Sequence, residues 1–129
     1  MKAKYALALS LLAGVAIGAV AVEGLHAQSA KLKAWSIGEE EPLDMAALNT
    51  YLPGIRDAIQ QNHGKSLRTL NGRVIQLEGA PPPKNVAIVE WDSVDDALAF
   101  YKSDAWKASQ AQREKAYKIT RRYIVEAEK

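Results

Sequence analysis

The sequence predicts an α+β domain with the element order β-α-β-β-α-β, and three observations predict it. An apolar and β-branched run, Val86-Ala87-Ile88-Val89, closed by Glu90-Trp91, passes through Asp92-Ser93 straight into a helical stripe of Val94, Ala97, Leu98 and Tyr101. A second stripe of the same period, Met45, Leu48, Leu52, Ile55 and Ile59, follows Asp44. Alternating segments at Lys31–Glu40 and Thr120–Ala127 then stand outside both helices. A strand that runs directly into a capped helix is where a sheet meets its covering layer, so Asn85–Ala108 organises the rest.

The first 27 residues read as an address. Lys2 and Lys4 precede the uncharged, apolar Ala6–Val22, and Leu25-x-Ala27 supplies a small-residue cleavage motif. The competing reading is a retained membrane anchor. Seventeen residues rise about 25 Å as a helix, short of a roughly 30 Å hydrocarbon core, and Ala, Gly and Val outnumber Leu and Ile. The expectation is a leader at 1–27 and a single domain at 28–129. The protein would then be exported, periplasmic or secreted, with no stable membrane association after cleavage.

Composition narrows the chemistry. At 129 residues, 48% hydrophobic and 25% charged, the chain is one globular domain with at most a short extra segment. The net charge of +2 is small and its basic residues are dispersed, which argues against a nucleic-acid partner. Without the leader the balance is fifteen basic against fourteen acidic residues, and His63 is the one remaining histidine. No cysteine exists to make a disulfide, a thiolate metal site or a nucleophile. No phosphate loop, dinucleotide fingerprint or nucleophile elbow is present, and no cofactor or metal is expected.

Taken in order, Lys31–Glu40 alternates Leu32, Ala34 and Ser36 against Lys33, Trp35 and Ile37, the pattern of a first strand. Glu39-Glu40-Glu41 before Pro42 reads as a solvated exit loop. Asp44 is the N-cap of the first helix, which Pro53-Gly54 should kink or divide. His63-Gly64 ends it, with Gly64 a candidate left-handed C-cap. Lys65–Leu70 and Val74–Glu78 flank Asn71-Gly72, the signature of a hairpin or a bulged long strand. Ala80-Pro81-Pro82-Pro83 is stiff connecting chain, and Val86–Trp91 is expected to be the most buried strand. Ser93-x-x-Asp96 caps the second helix, Ser103-Asp104 opens a further turn, and Gln110–Tyr117 is helix-tolerant. Thr120–Ala127 closes the sheet.

This order is the split βαβ or ferredoxin-like arrangement, an antiparallel sheet with both helices on one face. The other face is left bare, with apolar area from Trp35 or its neighbours, Val89 or Ile88, and Tyr123 or Ile124. A patch of that kind calls for a partner, most simply a second copy related by a two-fold axis.

Several blocks carry a family resemblance. They are Pro53 within the first helix, His63-Gly64-Lys65, Leu77-Glu78-Gly79, Val86–Tyr101 with Ser103-x-x-Trp106, Arg113, and Arg122-Tyr123-Ile124-Val125-Glu126. Together, from Lys31 to Glu128, they resemble the small bacterial proteins grouped as domain of unknown function 1330. The resemblance implies a ferredoxin-like subunit of the dimeric α+β-barrel superfamily, whose members include cofactor-independent oxygenases, isomerases and haem-related enzymes. Fold alone does not select among such chemistries.

The expected function is therefore an exported homodimer that binds a small, partly apolar molecule. The alternatives are a cofactor-independent oxygenase or isomerase, and an envelope protein built for assembly. His63 and Glu90 are the candidate general bases, the first for its titration near neutrality and the second as a carboxylate expected to be raised by burial in an apolar strand. The bland alternatives are a helix-end histidine and a strand-end glutamate paired with a cation. Arg68 is a candidate partner for Glu90 or for an anionic ligand. Trp91, Tyr101 and Trp106 would form an apolar wall, or simply core.

Overall fold

The structure, a computed structural model, describes residues 31–129, and the expected leader lies outside them. Four strands, β1 (Ala34–Pro42), β2 (Gly64–Ser66), β3 (Asn85–Trp91) and β4 (Tyr117–Glu126), form one antiparallel sheet in the order β2-β3-β1-β4. Helix α1 (Met45–Gln61) joins β1 to β2, and three short helices join β3 to β4: α2 (Val94–Lys102), α3 (Asp104–Ala108) and α4 (Gln110–Ala116). This is the expected ferredoxin-like arrangement.

Local chemistry starts three of the four helices where the sequence indicated, and the last, α4, has no side-chain cap. Asp44 accepts from the Ala47 amide at 2.9 Å, Ser93 from Asp96 at 3.1 Å, and Ser103 from Trp106 at 3.2 Å. The Ala116 carbonyl accepts from the amides of Leu43 and Asp44, tying the start of α1 to the end of α4. Helix α1 is one continuous element with Pro53 inside it, not two pieces. Pro53 and Asn49 are both exposed, so the carbonyl freed by the missing N–H faces water. The core stripe differs in detail from the expected one. Leu48, Tyr51, Ile55 and Ile59 are buried on α1 while Met45 is exposed, and on α2 Ala97 and Phe100 are buried while Leu98 is exposed.

Four expectations about strands and turns are corrected. Glu39-Glu40-Glu41 belongs to β1, not to a loop, and Glu40 is buried. Val86–Trp91 does not stand alone as the buried strand: β1 is buried to the same degree, with Ala34, Ser36, Gly38 and Glu40 alternating inward between β3 and β4. No hairpin forms around Asn71-Gly72. Only Gly64–Ser66 is a strand, pairing with β3, and Val74–Glu78 is irregular, with Leu77 90% exposed. With no buried face to occupy, β propensity alone does not hold Val74–Glu78 in the sheet.

The fourth concerns the helix end. His63, not Gly64, takes the left-handed conformation, with φ 64°. Gly64 already serves β2, where a Cβ would sit 2.6 Å from both Ile59 Cγ2 and Trp91 Cζ3. The glycine is used for close approach, so the reversal of the chain falls on its neighbour.

The helices cover one sheet face. Register places Trp35, Ile37, Val86, Ile88, Tyr123 and Val125 together on the other, and no described helix packs there. Val89 and Ile124 face the helices instead, which resolves the two pairs of alternatives. Between Glu39 and Glu40 the register with β4 shifts, leaving Thr120 as the extra residue of a β-bulge. The shift lets Tyr117 and Arg122, five residues apart, face the same interior.

Candidate ligand cavity

Between the helix layer and the sheet lies a cavity of about 80 Å³. Its apolar lining comes from α1 (Leu48, Leu52, Ile55, Ile59), from Leu67 and Leu70 after β2, and from Val89 and Phe100. The polar lining includes Ser36 and Glu40 on β1, Asn85 on β3 and Arg122 on β4, with Arg56 and Thr69 outside these strands. Small residues on β1 create the room: a Cβ on Gly38 would meet Arg122 Nη2 and Glu40 Oε1, both at 3.3 Å.

Glu40 is the centre of that polar cluster. Its Oε1 lies 3.4 Å from Arg122 Nη2, and its Oε2 accepts from Asn85 Nδ2 at 3.1 Å across the β1–β3 register pair. Burial raises the Glu40 carboxyl above its ordinary value, although Arg122 and Asn85 pull the other way. Arg122 Nη2 also reaches the Tyr117 hydroxyl at 3.3 Å, and its guanidinium lies 4.8 Å from the Trp106 ring centroid. Burial raises both Tyr51 and Tyr101, holding these phenols neutral. Among the described residues two buried polar atoms of the lining have no hydrogen-bond partner, Asn85 Oδ1 and Arg56 Nε.

The six residues singled out from sequence separate into distinct places. Tyr101 and Trp106 line the cavity with ring centroids 4.9 Å apart. Trp91 is fully buried behind it, and its Nε1 and the Tyr101 hydroxyl both donate to Ser36 Oγ at 2.9 Å. Arg68 lines an open depression outside, with Arg56, Asp57 and Lys65. His63 is exposed on its turn. Glu90 lies on the uncovered sheet face, opposite Trp35, and accepts a hydrogen bond from Lys33. Its expected elevation is reversed: the bond to Lys33 lowers the Glu90 carboxyl. Lys33, not Arg68, is its cationic partner. No hydrogen bond or ion pair joins His63 to Glu90 among the described residues.

Sequence reasoning missed Ser36, Glu40, Asn85, Tyr117 and Arg122. One signal for Glu40 was present, because it continues the inward phase of Ala34, Ser36 and Gly38. Among the described residues no cluster of His, Asp and Glu is placed to hold a metal ion, and no helix is long and apolar enough to cross a membrane.

This geometry sits inside a region that a family model, Domain of unknown function (DUF1330), matches over residues 33–127. The chain belongs to that family. The DUF1330 domain is similar in fold to a protein of unknown function from Rhodopseudomonas palustris, at 13% identity and a TM-score of 0.56, covering 82% of this chain and 93% of that one. The methylated form of the same protein gives 14% identity and a TM-score of 0.57, covering 82% and 91%. A protein from Bacteroides fragilis, described as dimeric and of ferredoxin-like fold, matches at 10% identity and a TM-score of 0.42, covering 76% and 95%. No curated protein matches the DUF1330 chain.

Proposed function

We propose that this DUF1330 protein is an exported homodimer whose interior cavity binds a small, partly apolar molecule. The observation that carries the binding reading is a polar cluster facing unfilled space: the Glu40–Arg122 pair and Asn85 beside apolar walls. A hydrocarbon-filled core would dispense with a buried ion pair, whose desolvation costs several kcal/mol per ion. At about 80 Å³ the cavity is well below the roughly 300 Å³ at which drug-sized sites begin, so the ligand is compact.

Two further arguments support dimerisation and export. Six apolar residues share an uncovered sheet face, bordered by the ion pairs of Glu39 with Arg121 and Glu90 with Lys33. A charged start, an apolar middle and a small-residue exit precede the domain. Native mass spectrometry of protein purified from the producing cell tests all three parts. The expected species is a dimer of chains beginning after Ala27, carrying a small molecule lost on denaturation. A monomer, an intact leader, or a bare subunit that no small molecule stabilises against heat would each remove the corresponding part.

The second reading, proton transfer on the bound molecule by a cofactor-independent isomerase or oxygenase, is favoured by one observation. Glu40 is a cavity-lining carboxylate raised by burial, as a general base near neutrality needs to be. Turnover abolished by Glu40→Gln with folding retained would support it.

A further inference from the structure

Arg56 stands where two hollows meet. It lines the interior cavity beside Ile55, and it also lines the outer depression between α1 and β2 with Lys65 and Arg68. Its Nε is buried and makes no hydrogen bond among the described residues. Charge is balanced deeper in the cavity, where Glu40 and Arg122 pair with each other, so Arg56 supplies the uncompensated charge of the lining. The outer depression adds Lys65 and Arg68 against a single acid, Asp57. No ion pair engages Arg56, Lys65 or Arg68 among the described residues.

A buried guanidinium N–H without an acceptor is costly, and its planar fork matches a carboxylate. Beyond it the walls are Leu52, Ile55 and Leu67, which suit hydrocarbon. A carboxylate placed deeper would meet Glu40, so complementarity puts the anion at the mouth and the tail inside. We propose that the ligand is a small monocarboxylic acid, its carboxylate held by Arg56 and its short apolar tail in the cavity. This rests on the cavity being a binding site and goes further by fixing the ligand's charge and orientation.

The test titrates hexanoate, 1-hexanol and inorganic phosphate into the purified protein at neutral pH, following the methyl resonances of Leu52, Ile55 and Leu67. Hexanoate should bind at least tenfold more tightly than 1-hexanol or phosphate. Arg56→Gln should weaken hexanoate at least tenfold and leave 1-hexanol unchanged, while Arg56→Lys recovers part of the loss. Thermal unfolding of both unliganded variants establishes that they fold. Equal binding of hexanoate and 1-hexanol, or hexanoate binding unaffected by Arg56→Gln, overturns the carboxylate assignment and leaves the cavity reading standing. Phosphate binding as tightly as hexanoate removes the role of the tail. If neither six-carbon probe perturbs the methyl groups, the assignment and the cavity reading fall together.

Discussion

Gly64 lies against the face of Trp91 so closely that a Cβ at position 64 would stand 2.6 Å from Cζ3 and 2.8 Å from Cε3. Trp91 is fully buried and Ile59 closes the other side at 2.6 Å, so neither neighbour can retreat. Gly64→Ala should cost about 1–3 kcal/mol through overpacking. Urea unfolding checks it, and an unchanged midpoint would mean that the β2–β3 edge yields.

The same crowding leaves His63 in the left-handed region, where a side chain costs roughly 1 kcal/mol or more. His63→Gly should therefore raise stability, by up to about 1 kcal/mol once the added freedom of the unfolded chain is counted. A lower melting temperature for this variant would show that the imidazole makes a stabilising interaction outweighing the backbone cost.

Ser36 accepts from both Trp91 Nε1 and the Tyr101 hydroxyl. Ser36→Ala leaves the fully buried indole N–H without an acceptor, at about 1–3 kcal/mol. A cycle pairing Ser36→Ala with Tyr101→Phe should show coupling, because the second change removes a donor that the first would strand. Additive losses in chemical denaturation would argue against the shared acceptor.

The raised Glu40 carboxyl gives stability a definite pH dependence. A raised acid binds its proton more tightly in the folded chain, so its contribution is complete below the ordinary glutamate range and is lost as pH climbs through the folded value. Glu39, Glu41 and Glu90 act with the opposite sign. Hydrogen bonds from Arg121, Lys84 and Lys33 lower them, so their contribution is present above the ordinary range and lost as pH falls. Glu40→Gln should flatten only the decline on the upper side. Denaturation midpoints from about pH 4 to about pH 8 read this directly, and parallel curves for the two proteins would refute it.

If the uncovered face joins two copies, Tyr123→Glu should dissociate them without unfolding the subunit, because Tyr123 is 40% exposed and lies outside the core. Sedimentation would record the change. A dimer that survives both Tyr123→Glu and Ile37→Lys must use another surface.

The frame of the fold was legible because local chemistry and long-range burial agree there. Asp44, Ser93 and Ser103 cap the helices they precede, and Ala34 and Ser36 keep the inward phase of β1. The cavity was harder to see. Glu40 sits in an acidic run that looks solvated in one dimension, and Arg122 reaches it only across the sheet, through a register that shifts at Thr120. Glu90 misled for a related reason. An acid in an apolar strand can face either side, and here its phase sends it to the uncovered face and Lys33. Asn71-Gly72 failed as a hairpin signal because β3 offers β2 a partner that Val74–Glu78 does not.

The extra residue in β4 bears on more than the interior. The four-stranded order makes β4 an outermost strand, ten residues long, whereas β2 at the opposite margin has three. A long, regular margin is a template for runaway association between molecules, and an irregularity with flanking cations such as Lys118 and Arg121 spoils that template. Deleting Thr120 would restore an even spacing, keep Tyr117 and Arg122 inward, and straighten the margin. The shortened protein should fold yet scatter more light on prolonged incubation, and colloidal behaviour identical to the parent would show that the kink has no protective role.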